Sequence, residues 1–153
     1  MTKRINIYGF AKASKALFAL AEEVTQAGNA AGVDQSLFEL VKIRASQING
    51  CALCLDMHTT DALKLGENAR RIFLLDAWRE TDLFTEQERA ALELTEVLTR
   101  LPDNQDVPDD VYDRAVNVFT EDQYRAVVWM VMVINGYNRI GVPSRSELPR
   151  RAA

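Results

Sequence analysis

The chain has 153 residues, of which 48% are apolar and 26% are charged, and its formal net charge is −4. This balance is that of an ordinary globular domain, so it excludes a mainly disordered chain and a small scaffold stapled by disulfides. The negative charge argues against a nucleic-acid binder, and the longest apolar run, Ala126 to Ile134, is too short to span a membrane. Since the N-terminus shows no signal peptide, we expect a cytoplasmic protein with a single domain over residues 1–153.

Apolar residues recur at helical spacing along most of the chain. The predicted helices are, in chain order, Ala11–Ala27 (ended by Gly28), Gln35–Ile48 (capped by Asp34), Cys51–Gly66, Glu67–Ala77, Glu86–Arg100, Asp109–Phe119 and a last helix that fades at Gly136. Capping boxes at Thr85 with Glu88 and at Thr120 with Gln123 open two of them, and residues 101–108 are predicted to form a loop. Because no stretch alternates with the period of a strand, the predicted fold class is all-α.

The reactive side chains of the protein are clustered. Its two cysteines and its single histidine are Cys51, Cys54 and His58. In a cytosolic protein, a C-x-x-C pair usually indicates redox chemistry or metal binding rather than a structural disulfide. Thioredoxin, the best-known redox fold with this motif, requires βαβ units that the helical pattern does not supply.

On a helix, Cys51, Cys54 and His58 lie along one stripe, because they are spaced at i, i+3 and i+7. A thiol reacts as its thiolate, so its pKa must be lowered for reactivity at neutral pH. The N–H groups at the helix start favour the thiolate of Cys51. The imidazole of His58 favours the thiolate of Cys54, one turn away. Position alone therefore leaves open which sulfur attacks a substrate.

Helix geometry adds a fourth candidate, Glu39. If the second and third helices form an antiparallel hairpin at Asn49, then Glu39 and His58 lie at nearly the same height along it. A carboxylate beside the imidazole would fix its tautomer and raise its basicity, which predicts a relay from carboxylate to imidazole to thiol. The alternative is that Glu39 only forms an ion pair with Lys42 or Arg44.

This set of residues resembles a known family. A glutamate twelve residues before a C-x-x-C, with a histidine four residues after the second cysteine, is similar to the core motif of the AhpD-like alkylhydroperoxidases, in the carboxymuconolactone decarboxylase-like superfamily. The stretches that carry the same resemblance are Leu40–Cys51, Ala77–Glu80, Phe84–Leu92 and Ile134–Arg139. The resemblance implies an all-helical fold that assembles as homotrimers or hexamers. It also implies thiol peroxidase or disulfide reductase chemistry without a cofactor or metal.

The resemblance also implies a role for each site residue. Cys54 attacks a hydroperoxide and becomes a sulfenic acid, which Cys51 then resolves to a disulfide. Glu39 and His58 relay protons. The reducing partner is a lipoyl-type dithiol or another thiol protein.

Two features of the motif refine this expectation. The best-known alkylhydroperoxidase has a histidine just before the second cysteine, where this chain has Leu53, so one member of that relay is missing. The decarboxylases of the superfamily typically lack the C-x-x-C, so its presence argues against lactone decarboxylation.

The cysteine pair has two alternative interpretations. The two cysteines could be small buried hydrophobic residues, or they could bind zinc or iron together with His58 and Glu39. A structural zinc site usually draws a second ligand pair from elsewhere, and no Cys or His remains to supply it. The competing functional hypothesis is a non-catalytic helical oligomer that senses redox state or holds a metal through the same pair.

The last helix suggests how the chain assembles. Its apolar residues extend nearly all round, as Trp129, Met130, Met132 and Ile134 show. Such a helix must be covered on all sides, so we expect it to lie in the core and to contribute to an oligomer interface.

Overall fold

A computed structural model describes residues 2–149; Met1 and residues 150–153, which the expected domain includes, lie outside the described residues. The described part is all-helical, as the hydrophobic spacing predicted, and contains no strand. Its α-helices are α1 (Ala11–Ala30), α2 (Gln35–Asn49), α3 (Ala52–Lys64), α4 (Ala69–Phe73), α5 (Glu86–Thr99), α6 (Leu101–Asn104), α7 (Asp109–Val118) and α8 (Glu121–Ser144). Short 3-10 helices lie at Ile7–Gly9 and Leu75–Glu80.

Helix α2 lies at the centre of the packing. It contacts α3, α5 and α8, and α8 in turn packs against α1 and α5. Phe38 and Val41 of α2 belong to one core cluster, which includes residues of α8. Leu40 and Ile43 belong to a second cluster, which includes Trp78. A helix buried on both sides carries its polar residues into the interior as well, and this places Glu39 inside the protein.

The three predicted helix caps are confirmed. The Asp34 carboxylate accepts a hydrogen bond from the backbone N–H of Ser36 and so caps α2. Both capping boxes form in full, at Thr85 before α5 and at Thr120 before α8. At the other end of α2, Gly50 adopts a left-handed conformation with φ of 68° and ends the helix.

The expected end of the first helix at Gly28 is wrong. Helix α1 continues to Ala30, and the chain turns instead at Gly32, where φ is +80°. Gly28 is a packing site inside the helix, because a Cβ at this position would lie 2.3 Å from Cζ of Phe38. The absence of a side chain leaves room for the ring of Phe38 against α1.

The helix expected over Glu67–Ala77 is also wrong, because this segment divides into α4 and the 3-10 helix Leu75–Glu80.

Boundaries in the second half of the chain differ from the prediction as well. Helix α8 does not fade at Gly136 but continues to Ser144, through both Gly136 and Pro143. A glycine inside a helix costs only about 0.5–1 kcal/mol, which the packing of α8 against α1, α2, α3, α5 and α7 outweighs. Residues 101–108 are not all loop, since they include α6, in whose first turn Pro102 is tolerated.

The surface of α8 is only partly covered by the rest of the chain. Met130 and Ile134 are buried, as expected, but Trp129 is 50% exposed and Met132 is 43% exposed. None of the helices in residues 2–149 is long and apolar enough to cross a lipid bilayer.

Candidate active site

The cysteine pair lies at the turn between α2 and α3. Cys51 is the N-cap of α3, and its Sγ accepts a hydrogen bond from the backbone N–H of Cys54 at 3.4 Å. Cys51 and Cys54 are joined by a disulfide and are both buried. The interpretation as two separate buried hydrophobic residues therefore does not describe this pair.

Helix α8 packs against the disulfide at Gly141. A Cβ at Gly141 would lie 3.1 Å from Cys51 Sγ and 3.7 Å from Cys54 Sγ. A contact of 3.1 Å is shorter than an ordinary carbon–sulfur contact, so a glycine is needed at this position for α8 to approach the disulfide so closely. The sequence prediction, which placed the end of this helix at Gly136, did not include the residue.

A partly buried network of polar side chains fixes the turn that carries the cysteines. Asn49 Nδ2 donates to Asn138 Oδ1 at 2.8 Å and to Asn135 Oδ1 at 3.0 Å. Asn138 Nδ2 donates in turn to Ser46 Oγ at 3.0 Å. Because the network joins the end of α2 to the middle of α8, it holds the cysteine pair at a fixed distance from α8.

The expected proximity of Glu39 and His58 is found. His58 Nδ1 lies 2.9 Å from Glu39 Oε2, and Lys42 Nζ lies 2.6 Å from Glu39 Oε1. Burial alone would raise the pKa of Glu39, but the hydrogen bond with His58 and the ammonium of Lys42 together bring that pKa below its ordinary value. Glu39 therefore faces the imidazole as a carboxylate and also pairs with Lys42, whereas Arg44 pairs with Glu96 instead.

A cavity of about 360 Å³ opens in front of this group, between α1, α3, α8 and the N-terminal 3-10 helix; we call it the thiol cavity. Its apolar walls include Phe18, Leu53, Met57, Met130, Val133 and Ile134. Cys54, His58 and Lys42 also line it, together with Tyr8 and Tyr137. Leu53, which stands where the best-known alkylhydroperoxidase has histidine, makes this wall apolar.

The two cysteines differ in their access to the thiol cavity. Both cysteines are buried, but Cys54 lines the cavity and Cys51 does not. A molecule in the cavity therefore contacts Cys54, whose sulfur is bonded to that of Cys51. This arrangement suits attack by one sulfur and resolution by the other.

Besides Gly141, sequence reasoning missed Tyr8, Tyr137 and the place of Lys42 in this site. Tyr8 and Tyr137 reach the thiol cavity from distant parts of the chain, and no spacing rule connects them to the cysteines. Lys42 was considered only as an alternative partner of Glu39. Within residues 2–149, no three His, Cys, Asp or Glu side chains come together in an arrangement that could hold a metal ion.

Comparison with known proteins places this geometry in context. The model of the carboxymuconolactone decarboxylase family matches residues 11–97. The uncharacterised protein YdfG from Bacillus subtilis (strain 168) is 40% identical over 142 residues, which are 93% of this chain and 94% of YdfG.

Two solved structures share the fold. Protein ATU0492 from Agrobacterium tumefaciens, of unknown function and described as a candidate antioxidant defence protein AhpD, superposes with a TM-score of 0.88 at 34% identity, covering 98% of this chain and 100% of that one. The apo structure of the debrominase Bmp8 superposes with a TM-score of 0.76 at 16% identity, covering 95% of this chain and 77% of that one. The second likeness shows the fold alone.

Proposed function

This chain belongs to the carboxymuconolactone decarboxylase family, with an AhpD-like fold, and on that premise we propose that it is a thiol-dependent peroxidase that reduces hydroperoxides through Cys51 and Cys54. The observation that carries the proposal is the pairing of Cys54 and His58 on one apolar cavity, with Cys51 bonded to Cys54 from behind. Family membership together with a C-x-x-C pair favours an antioxidant role.

The first chemical step takes place at Cys54. In the reduced enzyme, His58 accepts the proton of the Cys54 thiol, and the thiolate attacks the terminal oxygen of the hydroperoxide. The O–O bond breaks, Cys54 becomes a sulfenic acid, and the leaving alkoxide takes up the proton as the alcohol. The sulfur is oxidised and the peroxide is reduced by two electrons.

The second step uses Cys51. Its sulfur attacks Cys54 Sγ, the S–O bond breaks, and water leaves as the disulfide forms. A lipoyl-type dithiol or another thiol protein then reduces the disulfide by exchange and is itself oxidised. The first exchange takes place at Cys54, because the thiol cavity gives access to that sulfur.

The Glu39 carboxylate supports His58 in this cycle. With Nδ1 bound to Glu39, the other ring nitrogen, Nε2, is left to exchange the proton of Cys54. Since His58 is the single histidine of the chain and Leu53 occupies the position before Cys54, no second imidazole takes part. The whole proton relay therefore consists of Glu39 and His58.

The proposed enzyme is a homo-oligomer, a trimer or a hexamer. Trp129 and Met132 support this, because these large apolar side chains of α8 are about half exposed and a second copy of the chain would cover them.

Peroxide consumption with excess dihydrolipoamide tests the proposed function. The wild type should turn over continuously, Cys54→Ser should be inactive, and Cys51→Ser should stop after one equivalent of peroxide. Full turnover by Cys54→Ser would contradict the assignment. A single stoichiometric oxidation of the wild type, with no turnover under any dithiol or thiol protein, would favour a redox sensor that uses the same pair.

A further inference from the structure

The N-terminal 3-10 helix, Ile7–Gly9, is fastened beside the thiol cavity. The backbone N–H of Ile7 donates to Ser144 Oγ at 3.1 Å, near the end of α8. Ser14 Oγ, in the first turn of α1, donates to the backbone carbonyl of Tyr8 at 3.0 Å. The carboxamide of Asn6 caps the turn by accepting from the N–H of Tyr8 at 3.0 Å. The backbone of Tyr8 is thus held between α1 and α8.

The hydroxyl of Tyr8 and the sulfur of Cys54 both lie close to Gly141. A Cβ built on Gly141 would lie 3.9 Å from Tyr8 Oη and 3.7 Å from Cys54 Sγ. Tyr8 and Cys54 also line the same cavity. The hydrogen bonds that Tyr8 makes within residues 2–149 use its backbone only, which leaves its hydroxyl to a molecule in the cavity.

The surroundings of Tyr8 keep this hydroxyl protonated. Burial raises the pKa of Tyr8 above its ordinary value of 10.0, so the phenol remains a hydrogen-bond donor throughout the physiological range. In the largely apolar thiol cavity, a fixed neutral donor interacts strongly with an oxygen on which negative charge develops. Such a charge develops on the leaving oxygen of a hydroperoxide when a thiolate attacks it.

We propose that Tyr8 is a catalytic hydrogen-bond donor, which binds the leaving oxygen of the hydroperoxide while Cys54 attacks the terminal one. The inference rests on the proposed peroxidase function. In the step, Cys54 gains the terminal oxygen, the O–O bond breaks, and the alkoxide carries the negative charge. Tyr8 keeps its own proton and stabilises that charge until the proton that His58 took from Cys54 reaches the alkoxide.

The role predicts a dependence on the leaving group. An alkoxide is a strong base and needs the hydrogen bond, whereas acetate is a weak base and leaves readily without it. Loss of the Tyr8 hydroxyl should therefore slow reaction with tert-butyl hydroperoxide about 10²-fold, the low end of the range for removing one such donor. Reaction with peracetic acid, a molecule of similar size, should change little. A residue that only maintains the fold would affect both reactions equally.

The experiment measures the oxidation of reduced protein by each peroxide in a stopped-flow instrument, as the second-order rate constant for formation of the Cys51–Cys54 disulfide. Tyr8→Phe is compared with the wild type and with Tyr112→Phe, which removes a hydroxyl from an exposed tyrosine on α7. Circular dichroism checks that each variant is folded. Ser144→Ala, which removes the acceptor of the Ile7 N–H, provides a second variant should Tyr8→Phe not fold; it should slow the alkyl hydroperoxide selectively as well.

The outcomes separate this inference from the function on which it rests. A selective loss with tert-butyl hydroperoxide in Tyr8→Phe, absent in Tyr112→Phe, supports the donor role. Equal rates for Tyr8→Phe and the wild type, or an equal loss with both peroxides, would overturn it and leave the peroxidase function standing. If the wild type forms no disulfide with either peroxide, the proposed function and the role of Tyr8 both fail.

Discussion

Glu39 Oε2 and His58 Nδ1 lie 2.9 Å apart, although 19 positions separate the two residues in the sequence. The antiparallel arrangement of α2 and α3 brings them together, and Lys42 occupies the second oxygen of the same carboxylate. A buried carboxylate shared by an imidazole and an ammonium is held as an anion, so it fixes the ring of His58 in one orientation.

Replacement of this carboxylate should slow the chemistry and leave the fold intact. We expect Glu39→Gln to lower the rate of disulfide formation with a hydroperoxide by about 10²-fold, the low end of the contribution of a positioned acid–base group. Stopped-flow oxidation of the reduced protein measures this rate. Glu22→Gln, at an exposed position on α1, is the matched control and should react like the wild type. An unchanged rate in Glu39→Gln would remove Glu39 from the relay.

A second buried carboxylate, Glu96, should govern the response of stability to acid. It accepts hydrogen bonds from Arg44 Nε at 2.8 Å, from Trp78 Nε1 at 2.9 Å and from Arg79 at 2.6 Å. Burial would raise its pKa, but the bonds to Trp78 and Arg79 and the charge of Arg44 bring the pKa below the ordinary value of 4.5. Since the pKa is lower in the folded state, ionised Glu96 contributes stability above the unfolded pKa and loses that contribution as the pH falls through the folded one.

The variant Glu96→Gln should therefore have two effects. At pH 7 it should lower the free energy of unfolding by about 3 kcal/mol, because the buried guanidinium of Arg44 loses a charged partner. Below the ordinary pKa of 4.5, its stability should fall less steeply with acid than that of the wild type. Urea unfolding at a series of pH values measures both quantities. Parallel pH profiles for the variant and the wild type would contradict this account of Glu96.

Two glycines of α8 should respond oppositely to alanine. At Gly141 the new methyl would lie 3.1 Å from Cys51 Sγ, so Gly141→Ala should destabilise the oxidised protein by about 1–3 kcal/mol, as overpacking does. At Gly136 it would meet only Leu17 Cδ1, at an ordinary 3.8 Å, so Gly136→Ala should gain about 0.5–1 kcal/mol. Thermal unfolding of both variants provides the comparison. A Gly141→Ala protein as stable as Gly136→Ala would show that α8 does not pack tightly on the disulfide.

The exposed apolar residues of α8 should hold the oligomer together. We expect sedimentation velocity to show the wild type as a trimer or a hexamer. Met132→Lys, which places a charge among half-exposed apolar side chains, should shift it towards the monomer. Lys64→Glu changes the charge at an exposed end of α3 and should leave the assembly unchanged. A monomeric wild type would contradict the predicted assembly.

The local features of the fold follow from the sequence because their causes are local. The caps at Asp34, Thr85 and Thr120 and the left-handed turn at Gly50 depend on residues within one helical turn, and the structure forms all four. The juxtaposition of Glu39 with His58 was also predictable, since it needs only one hairpin and the rise of a helix.

The failures of the sequence prediction have a common cause in tertiary packing. The sequence predicts a helix end at Gly28, but this glycine lies inside α1 and Phe38 fills the space beside it. The sequence also predicts a helix end at Gly136, but α8 is buried there and continues to Ser144. The predicted helix over residues 67–77 divides into α4 and a 3-10 helix at Leu75–Glu80. Glycine signals alone do not distinguish a helix end from a close contact.

The thiol cavity lay beyond sequence reasoning for the same reason. Tyr8 and Gly141 approach the cysteines through long-range contacts of the N-terminal turn and of α8, which no motif spacing encodes. The C-x-x-C suggested the chemistry, whereas the shape of the cavity, which is lined by Cys54 and not by Cys51, required the packed structure.

The most direct test of the central claim is to locate the oxidised sulfur after a single reaction. Reduced Cys51→Ser is treated with one equivalent of tert-butyl hydroperoxide in the presence of dimedone, which traps sulfenic acids, and the adduct is mapped by mass spectrometry. We expect a dimedone adduct on Cys54 of this variant. In Cys54→Ser, treated in the same way for comparison, we expect no adduct to form on Cys51 at a comparable rate. An adduct that forms as fast on Cys51 in Cys54→Ser, or an unreacted Cys54 in Cys51→Ser, would contradict the central claim.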